Sequence, residues 1–166
     1  MKRVLLTGMS GTGKSAVIEE LTARGYKAVD VDVPGYSELV PVPEDELTGP
    51  GPGWDWVWQP ERIQTLLSTE DASILFISGT SPNQGAFYAQ FDHVILLSAP
   101  TELILRRLAT RTNNAFGKSP DEVERVLALI KEIEPLLRRS ADHEIDTSAP
   151  LDQVVSQICQ VVGLAA

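Results

Sequence analysis

The stretch Val-Leu-Leu-Thr-Gly-Met-Ser-Gly-Thr-Gly-Lys-Ser at residues 4–15 decides the fold. Its apolar half predicts a short strand, and residues 8–15 match the Gly-x-x-x-x-Gly-Lys-Ser pattern of a phosphate-binding loop. Residues with helical spacing follow, as this motif requires. The glycines let successive main-chain N–H groups point at phosphate oxygens, and the helix N-terminus adds positive potential. The sequence therefore predicts a nucleoside triphosphate site rather than a glycine-rich turn with an incidental lysine.

The same chemistry assigns roles within the loop. We expect the Lys14 ammonium to reach the β- and γ-phosphates and to act in catalysis, and the Ser15 hydroxyl to ligate the accompanying Mg²⁺. ATP and Mg²⁺ are thus the predicted cofactors, and the loop itself does not distinguish ATP from GTP. The loop residues predicted to bind the nucleotide are Gly8, Ser10, Gly11, Thr12, Gly13, Lys14 and Ser15.

Composition narrows the class of protein. The 166 residues suffice for a single α/β domain over 1–166 with a full core. The net charge of −9 argues against a nucleic-acid partner. The single cysteine, Cys159, excludes an intramolecular disulfide and favours a reducing compartment. Because no apolar run approaches membrane-spanning length and no signal peptide precedes the first strand, we expect a cytoplasmic protein without a membrane partner.

Apolar runs and helical spacings alternate along the chain. One predicted helix begins at Ser119, with proline and glutamate in capping positions, and is broken at Pro135. This alternation predicts a three-layer α/β fold with a doubly wound, parallel, five-stranded sheet. The predicted strands are 3–7, 27–33, 74–77 and 94–97, with a weaker fifth at 143–146.

Residues 34–60 differ in character from the rest of the chain. Six prolines and four glycines argue against regular structure through most of the segment. It also holds all three tryptophans, which argue against plain disorder. A loop this long inside a compact domain is typical of a functional lid. We therefore expect a substrate-binding, lid-like insertion, with the Gly-Pro run 49–53 as its hinge.

Two aspartates close the second predicted strand. Because side chains alternate along a strand, Asp30 and Asp32 are expected on one face at its carboxyl end, the edge where open α/β sheets bind ligands. Asp32 is the candidate for orienting or deprotonating an acceptor hydroxyl, and Asp30 for contacting magnesium-bound water. The alternative is a solvated strand end.

Comparison of nucleotide-binding classes favours the small kinases. A GTPase should carry Asn-Lys-x-Asp after a strand, and this sequence has none. A motor or AAA-type ATPase should have an acidic residue at the end of an apolar strand, whereas the third predicted strand ends at Ser78. The chain instead resembles the nucleoside-monophosphate-kinase and shikimate-kinase group of P-loop kinases. The resemblance rests on 8–15, Asp30-x-Asp32, 107–111 and 145–148.

The resemblance implies further site residues. In that group the arginines of a lid clamp the transferring phosphoryl group, which implies catalytic and ATP-binding roles for Arg107 and Arg111 and an ATP lid over 111–118. The loop after the fifth strand lies beside the adenine, which implies that Ser148 and Pro150 flank the base. The accepting hydroxyl is contacted by the aspartate pair.

Three departures from these families leave the acceptor open. Shikimate kinases have Gly-Gly-Gly after the third strand, where this chain has Ser78-Gly79-Thr80. They also place an arginine two residues before Pro-Leu-Tyr, where this chain has Ile133 before Pro-Leu-Leu. The Asp-Gly-x-Pro-Arg element of nucleotide kinases is missing as well.

Other residues are candidates for binding this acceptor. Trp54 and Trp56 are expected to share a face with Trp58, either stacking on a ring of the substrate or sealing the lid against the core. The polar side chains of Asn83 and Gln84 suit a polyhydroxylated or amide-bearing ligand. The full set predicted to bind substrate is Asp30, Asp32, Trp54, Trp56, Gly79, Thr80, Asn83 and Gln84.

The sequence thus predicts an ATP- and Mg²⁺-dependent phosphotransferase acting on a small-molecule hydroxyl. A neutral alcohol is favoured over a phosphorylated acceptor, because arginines are scarce outside the lid. The alternative is a nucleotide-sensing or slow ATPase module that acts through a protein partner. A monomer or a homodimer is expected.

Overall fold

The computed structural model describes residues 1–45, 52–112 and 116–164. The strands of the described chain are β1 (Lys2–Thr7), β2 (Lys27–Asp30), β3 (Ser37–Pro41), β4 (Trp54–Trp58), β5 (Ile74–Ser78), β6 (His93–Ser98) and β7 (His143–Asp146). Five of them form a parallel sheet in the order β2-β5-β1-β6-β7, so the predicted five-stranded sheet is confirmed. Its α-helices are α1 (Lys14–Ala23), α2 (Pro60–Ser68), α3 (Thr101–Thr110), α4 (Pro120–Glu132), α5 (Glu134–Ser140) and α6 (Leu151–Val161), and Gln84–Gln90 is a 3₁₀ helix.

The sheet is the middle of three layers. Successive side chains of β1 enter opposite cores, since Val4 and Leu6 pack with α1 and α6, whereas Leu5 packs with α2 and the buried Trp58. Strands covered on both faces need apolar residues at every position, which explains the unbroken apolar runs of the central strands. The three-layer arrangement is the one that the sequence predicts.

The helix boundaries follow the capping signals in the sequence. Ser119 accepts a hydrogen bond from the Glu122 N–H, and the Glu122 side chain accepts one from the Ser119 N–H, so α4 begins with a capping box. Helix α4 ends at Glu132, Ile133 is the cap residue between the two helices, and α5, which contains Pro135, begins at Glu134. In the part of the chain that the structure describes, no helix is long and apolar enough to cross a membrane.

Two stretches of 34–60, a segment expected to lack regular structure through most of its length, form strands. β3 and β4 form an antiparallel hairpin in which Ser37 pairs with Trp58 and Pro41 with Trp54. Pro41 is accommodated because it is the last residue of an edge strand, where a missing N–H costs no ladder hydrogen bond. Most of the expected hinge at 49–53 lies outside the described residues.

Candidate active site

A cavity of about 750 Å³ opens where the carboxyl ends of β1, β2 and β5 meet the N-terminus of α1. Ligands of open α/β sheets bind at this edge. A smaller cavity of about 210 Å³ lies on the other side of Gly13 and Arg107. Of the predicted loop residues, those lining the larger cavity are Gly8, Ser10, Gly11, Gly13, Lys14 and Ser15.

The loop has the conformation that its glycines allow. Gly13 is the N-cap of α1 with φ +96°, a left-handed conformation that side-chain-bearing residues rarely adopt. Thr12 is fully buried, and its hydroxyl donates to the Met9 carbonyl at 2.8 Å. The Thr12 side chain therefore shapes the loop from within and does not line the cavity.

Lys14 is held across the mouth of the loop. Its Nζ donates to the carbonyls of Gly8 at 2.6 Å and Met9 at 3.1 Å. Desolvation lowers the pKa of this ammonium, and the nearby carboxylates of Asp32 and Asp30 oppose that shift. The cation is thus fixed within a ring of main-chain groups, at the place where the motif puts phosphate oxygens.

The Asp32 carboxylate lies close enough to Lys14 for their charges to interact, and it accepts hydrogen bonds from β4 and from the loop after β5. Its Oδ1 accepts from the Trp58 indole N–H at 3.0 Å, and its Oδ2 accepts from the Thr80 main-chain N–H at 2.8 Å. The Trp56 indole N–H donates to the Asp32 carbonyl at 2.9 Å. Each carboxylate oxygen keeps a lone pair, because a carboxylate offers about four acceptor positions. Asp32 is therefore fixed and still able to accept a hydrogen bond from a ligand.

Burial raises the pKa of Asp32 to about 6. The Lys14 charge and the hydrogen bonds from Trp58 and Thr80 favour the ionised form and oppose this shift, while Asp30 adds to it. A carboxylate with a pKa near neutrality accepts a proton more readily than an ordinary aspartate does.

The two aspartates do not share a strand face as predicted. β2 ends at Asp30, and the Asp30 Oδ1 accepts the Asp32 N–H at 2.9 Å, which turns the chain locally. The Val31 N–H still donates to the Ser78 carbonyl of β5 at 2.9 Å, so the turn begins just beyond the last bond to the sheet. Both aspartates nevertheless line the larger cavity.

Thr80 joins the loop after β5 to the phosphate-binding loop. Its hydroxyl donates to the Gly8 carbonyl at 2.6 Å and accepts from the Gly8 N–H at 3.1 Å. Its own N–H donates to Asp32. Thr80 lines the cavity, as the prediction requires, but its polar groups are committed to positioning Gly8 and Asp32.

Several side chains predicted to bind substrate do not line the larger cavity. Asn83 donates to the Trp58 carbonyl at 2.9 Å, and the buried Gln84 donates to the Thr7 hydroxyl at 3.2 Å and the Tyr88 hydroxyl at 2.8 Å. These amides satisfy buried polar groups of the protein itself. Trp54 is half-exposed on the hairpin, away from the cavity lining. Of the tryptophans, Trp56 alone lines this cavity.

Gly79 lies behind the cavity lining, against Val31, Asp32 and Trp58. A Cβ atom there would lie 2.8 Å from the Asp32 Oδ1, 2.9 Å from Val31 Cγ2 and 3.0 Å from the Trp58 ring. Gly79 is therefore required for the close approach of Asp32 and Trp58, and it does not line the cavity.

Replacing Gly79 with alanine is expected to destabilise the fold by about 1–3 kcal/mol, because the added methyl overpacks this site. Urea denaturation measures the change. Gly85→Ala is the matched control, since a Cβ there would come no nearer than 3.8 Å to the Tyr88 ring. Equal stability of the two variants would contradict this account of Gly79.

The two predicted lid arginines occupy different places. Arg107 donates to the Thr147 hydroxyl at 2.9 Å, the Thr147 carbonyl at 2.6 Å and the Gly11 carbonyl at 3.3 Å. It lines both cavities. Arg111 follows α3, donates to the Phe116 carbonyl at 2.7 Å and lines only the larger one. Residues 113–115 of the predicted lid lie outside the described residues.

The residues that line the smaller cavity are not the ones predicted to flank the nucleotide base. Thr147 and Ala149 line it together with Leu151 and Val154 of α6. Ser148 and Pro150, the residues predicted to flank the base, are exposed and do not line it. Side chains alternate around this turn, so the neighbours of the predicted residues face inward.

The sequence analysis missed several residues of the larger cavity, among them Asp55 and three apolar residues. Asp55 is only 2% exposed and lines it beside Trp56. Leu129 of α4, Ile133 between the two helices and Leu137 of α5 contribute an apolar wall. The sequence signal for Asp55 was a charged residue within a run of tryptophans. No local sequence feature distinguishes the three apolar lining residues from residues of the hydrophobic core.

The fold and the cavity define a P-loop nucleotide-binding protein. The chain belongs to the family described as AAA domain, whose model matches residues 4–128. The sequence analysis argued against an AAA-type ATPase because the third predicted strand ends at Ser78. The family match shows that this residue does not exclude membership of the AAA-domain family.

Similar proteins identify the group within the P-loop proteins. Shikimate kinase 2 of Yersinia enterocolitica is 26% identical, covering 96% of this chain and 95% of that protein. A shikimate kinase of Pelotomaculum thermopropionicum is 28% identical, covering 95% and 94%. The structure of Acinetobacter baumannii shikimate kinase in complex with shikimate has a TM-score of 0.65 at 20% identity, covering 98% and 93%. The chain is a P-loop small-molecule kinase of the nucleoside-monophosphate-kinase and shikimate-kinase-like group.

Proposed function

We propose that this protein transfers the γ-phosphoryl group of Mg²⁺-ATP to a hydroxyl of a small molecule, with Asp32 as the base. The observation that carries the proposal is the position of Asp32. A carboxylate with a pKa of about 6 is fixed in the phosphate-loop cavity, close enough to Lys14 for their charges to interact. Phosphoryl transfer needs this combination of a positioned acceptor and cationic charge at the phosphates.

In the proposed reaction, the acceptor hydroxyl donates a hydrogen bond to Asp32 and loses its proton to that carboxylate. The acceptor oxygen forms a bond to the γ-phosphorus while the bond to the β-phosphate oxygen breaks, which gives a phosphate ester and ADP. Lys14 and Arg111 neutralise charge on the transferring group. The lid that the sequence predicts over 111–118 is proposed to exclude water and so to limit hydrolysis of ATP.

The residues present fit a magnesium ion. Mg²⁺ in such sites is held mainly by phosphates and water, with only one or two protein oxygens. Ser15 and Asp30 both line the cavity and supply a hydroxyl and a carboxylate. The described residues hold no group of three or more His, Cys, Asp or Glu that could bind a metal without the nucleotide. When bound, Mg²⁺ would neutralise phosphate charge.

For the nucleotide base, we propose the smaller cavity. Its volume of about 210 Å³ and its lining by Val17, Ala149, Leu151 and Val154 suit a flat, mostly apolar ring. Arg107, fixed by Thr147, borders both this cavity and the phosphate loop. Its proposed role is therefore to bridge base and phosphates, whereas Arg111, which lines only the larger cavity, is proposed to act at the transferring group.

The test is acceptor-dependent formation of ADP. Purified protein with Mg²⁺-ATP is screened against alcohols of several charge classes, and products are examined for a new phosphate ester by mass spectrometry. We expect ADP to form only with an acceptor that becomes phosphorylated. ADP formation at the same rate without any acceptor would instead support the slow-ATPase alternative, and would overturn the proposal.

A cytoplasmic location, with the buried Cys159 as a free thiol, belongs to the same proposal.

Activity is expected to fall in acid as Asp32 becomes protonated. Because burial raises the pKa of this group to about 6, the base form dominates above that pH and is lost below it. The kcat/KM for the acceptor should therefore fall about tenfold per pH unit well below pH 6. A profile that stays flat between pH 7 and pH 5 would contradict the assignment. ATP-analogue binding over the same range serves as the control.

A further inference from the structure

We infer that Thr147 is a positioning residue for the nucleotide, because its hydroxyl fixes one peptide of the phosphate-binding loop and the Arg107 guanidinium together. The inference rests on the proposed function in one respect, namely that the nucleotide occupies the cavities on both sides of Arg107. Thr147 acts through the loop and this arginine, and it is assigned no contact with the reacting atoms.

Thr147 follows β7 directly and lies behind the phosphate-binding loop. It is 4% exposed, and its main-chain N–H donates to the Ser98 carbonyl at the end of β6 at 2.8 Å. This bond extends the parallel pairing of β6 with β7, in which Ser98 is opposite Asp146. The sheet therefore fixes the backbone of Thr147 independently of its contacts with the loop.

The Thr147 hydroxyl joins two elements that would contact the nucleotide. A threonine hydroxyl has one hydrogen to donate and two lone pairs that accept. This hydroxyl donates to the Thr12 carbonyl at 2.7 Å, with the Ser98 carbonyl farther away at 3.2 Å, and it accepts from the Arg107 Nη1 at 2.9 Å. The Arg107 Nη2 donates to the Thr147 carbonyl at 2.6 Å. One buried residue thus holds both the loop and a cation of α3.

The bond to the Thr12 carbonyl also sets the direction of the next N–H group. In a trans peptide, the C=O and the N–H that follows it point to opposite sides. A Thr12 carbonyl that points at Thr147 therefore directs the Gly13 N–H away from Thr147, toward the inside of the loop. That is the direction in which a phosphate-binding loop presents its N–H groups to an anion. Thr147 stabilises this orientation from behind the loop.

Arg107 supports the neighbouring peptide of the loop. Its Nη1 also donates to the Gly11 carbonyl at 3.3 Å. Helix α3 lies directly against this part of the loop, since a Cβ at Gly11 would be 3.0 Å from the Ile104 Cγ2. Removing the Thr147 hydroxyl would leave the Thr12 carbonyl without this donor and would also loosen Arg107, so two supports of the loop would weaken together.

Binding of phosphate and binding of the whole nucleotide are measured separately by calorimetry. Inorganic tripolyphosphate reports on the loop, and a non-hydrolysable ATP analogue with Mg²⁺ reports on the loop and the base cavity. Thr147→Val replaces the hydroxyl by a methyl group of similar size, whereas Thr147→Ser keeps the hydroxyl. We expect Thr147→Val to bind both probes roughly tenfold more weakly or worse, because a buried carbonyl and a guanidinium each lose a partner. Thr147→Ser should bind both within about threefold of wild type.

Thr65→Val on α2 is the matched control. It removes a threonine hydroxyl that donates to the Glu61 carbonyl at 2.9 Å, and Thr65 lines neither cavity. Thermal melting without nucleotide shows whether each variant is folded, and Thr147→Ala carries the same expectation if the valine variant does not fold. The amide resonance of Gly13 in the ¹H–¹⁵N spectrum should move in Thr147→Val and stay in place in Thr147→Ser.

Several outcomes would overturn the inference. Thr147→Val that binds tripolyphosphate as tightly as wild type would do so, as would equal losses of affinity in the valine and serine variants. Weaker binding of the ATP analogue alone would assign Thr147 to the base cavity and remove its role at the loop. A wild type that does not bind tripolyphosphate would also contradict it.

The proposed function stands or falls separately, because none of these measurements needs an acceptor. If the variants bind as expected and the wild type transfers no phosphoryl group, the proposed function is wrong and the role of Thr147 remains. If transfer occurs and Thr147→Val binds like wild type, the reverse holds.

Discussion

Asp32→Asn is expected to lower kcat by roughly 10²–10⁴-fold, the usual contribution of a positioned general base. The amide cannot accept the proton of the acceptor hydroxyl at neutral pH. Nucleotide binding should change little, because the loop carbonyls that hold Lys14 are untouched. The measurement is steady-state transfer to an identified acceptor, with ATP-analogue affinity determined by calorimetry.

The structure also predicts a cost in stability for this variant. Both Asp32 oxygens accept N–H donors, from Trp58 and from Thr80. The amide –NH₂ of asparagine must face one of those donors, which leaves it unsatisfied at a cost of about 1–3 kcal/mol. Relief from burying a charge offsets part of this cost. Asp152→Asn on the exposed first turn of α6 controls for the change in net charge. A variant that binds nucleotide and still transfers at the wild-type rate would remove Asp32 from the mechanism.

The fold was predictable because its signals are local. The loop over 8–15, the capping box at Ser119 and the break before Pro135 each act within a few residues. The β3–β4 hairpin was not predictable in this way. Its strands are separated along the chain and pair with each other, and the same proline and glycine content describes a hairpin with a long connection or an irregular loop.

The site was predictable to the extent that the motif fixes it. Lys14 and Asp32 were identified from their positions after strands. The prediction for Asp32 assumed that it continues β2, whereas the strand ends at Asp30. Asn83 and Gln84 were misassigned because composition does not reveal which polar side chains satisfy buried groups. The Trp58 carbonyl and the Thr7 hydroxyl needed partners, and only the folded chain shows that these amides are those partners.

Lys14→Met is the second variant with a large expected effect. Removing the ammonium should lower kcat/KM for ATP by at least 10²–10³-fold, since one charge-stabilising donor at a transferring group contributes about that much. The methionine side chain keeps the apolar length of lysine, so the loop should still fold. Steady-state kinetics over a wide range of ATP concentration separates the loss of binding from the loss of turnover.

The same variant is expected to retain or gain thermal stability without nucleotide. The pKa of Lys14 is lowered by desolvation, so the folded protein holds this charge at a cost that methionine does not incur. The Lys14 charge also lowers the pKa of Asp32, and its removal should raise that pKa further above 6. Wild-type protein should then be stabilised by Mg²⁺-ATP, and the variant should not be. A residue that lowers the stability of the nucleotide-free protein and is nevertheless retained is one that ligand binding requires. A variant that melts well below wild type without nucleotide would show instead that Lys14 holds the loop together through its two carbonyls.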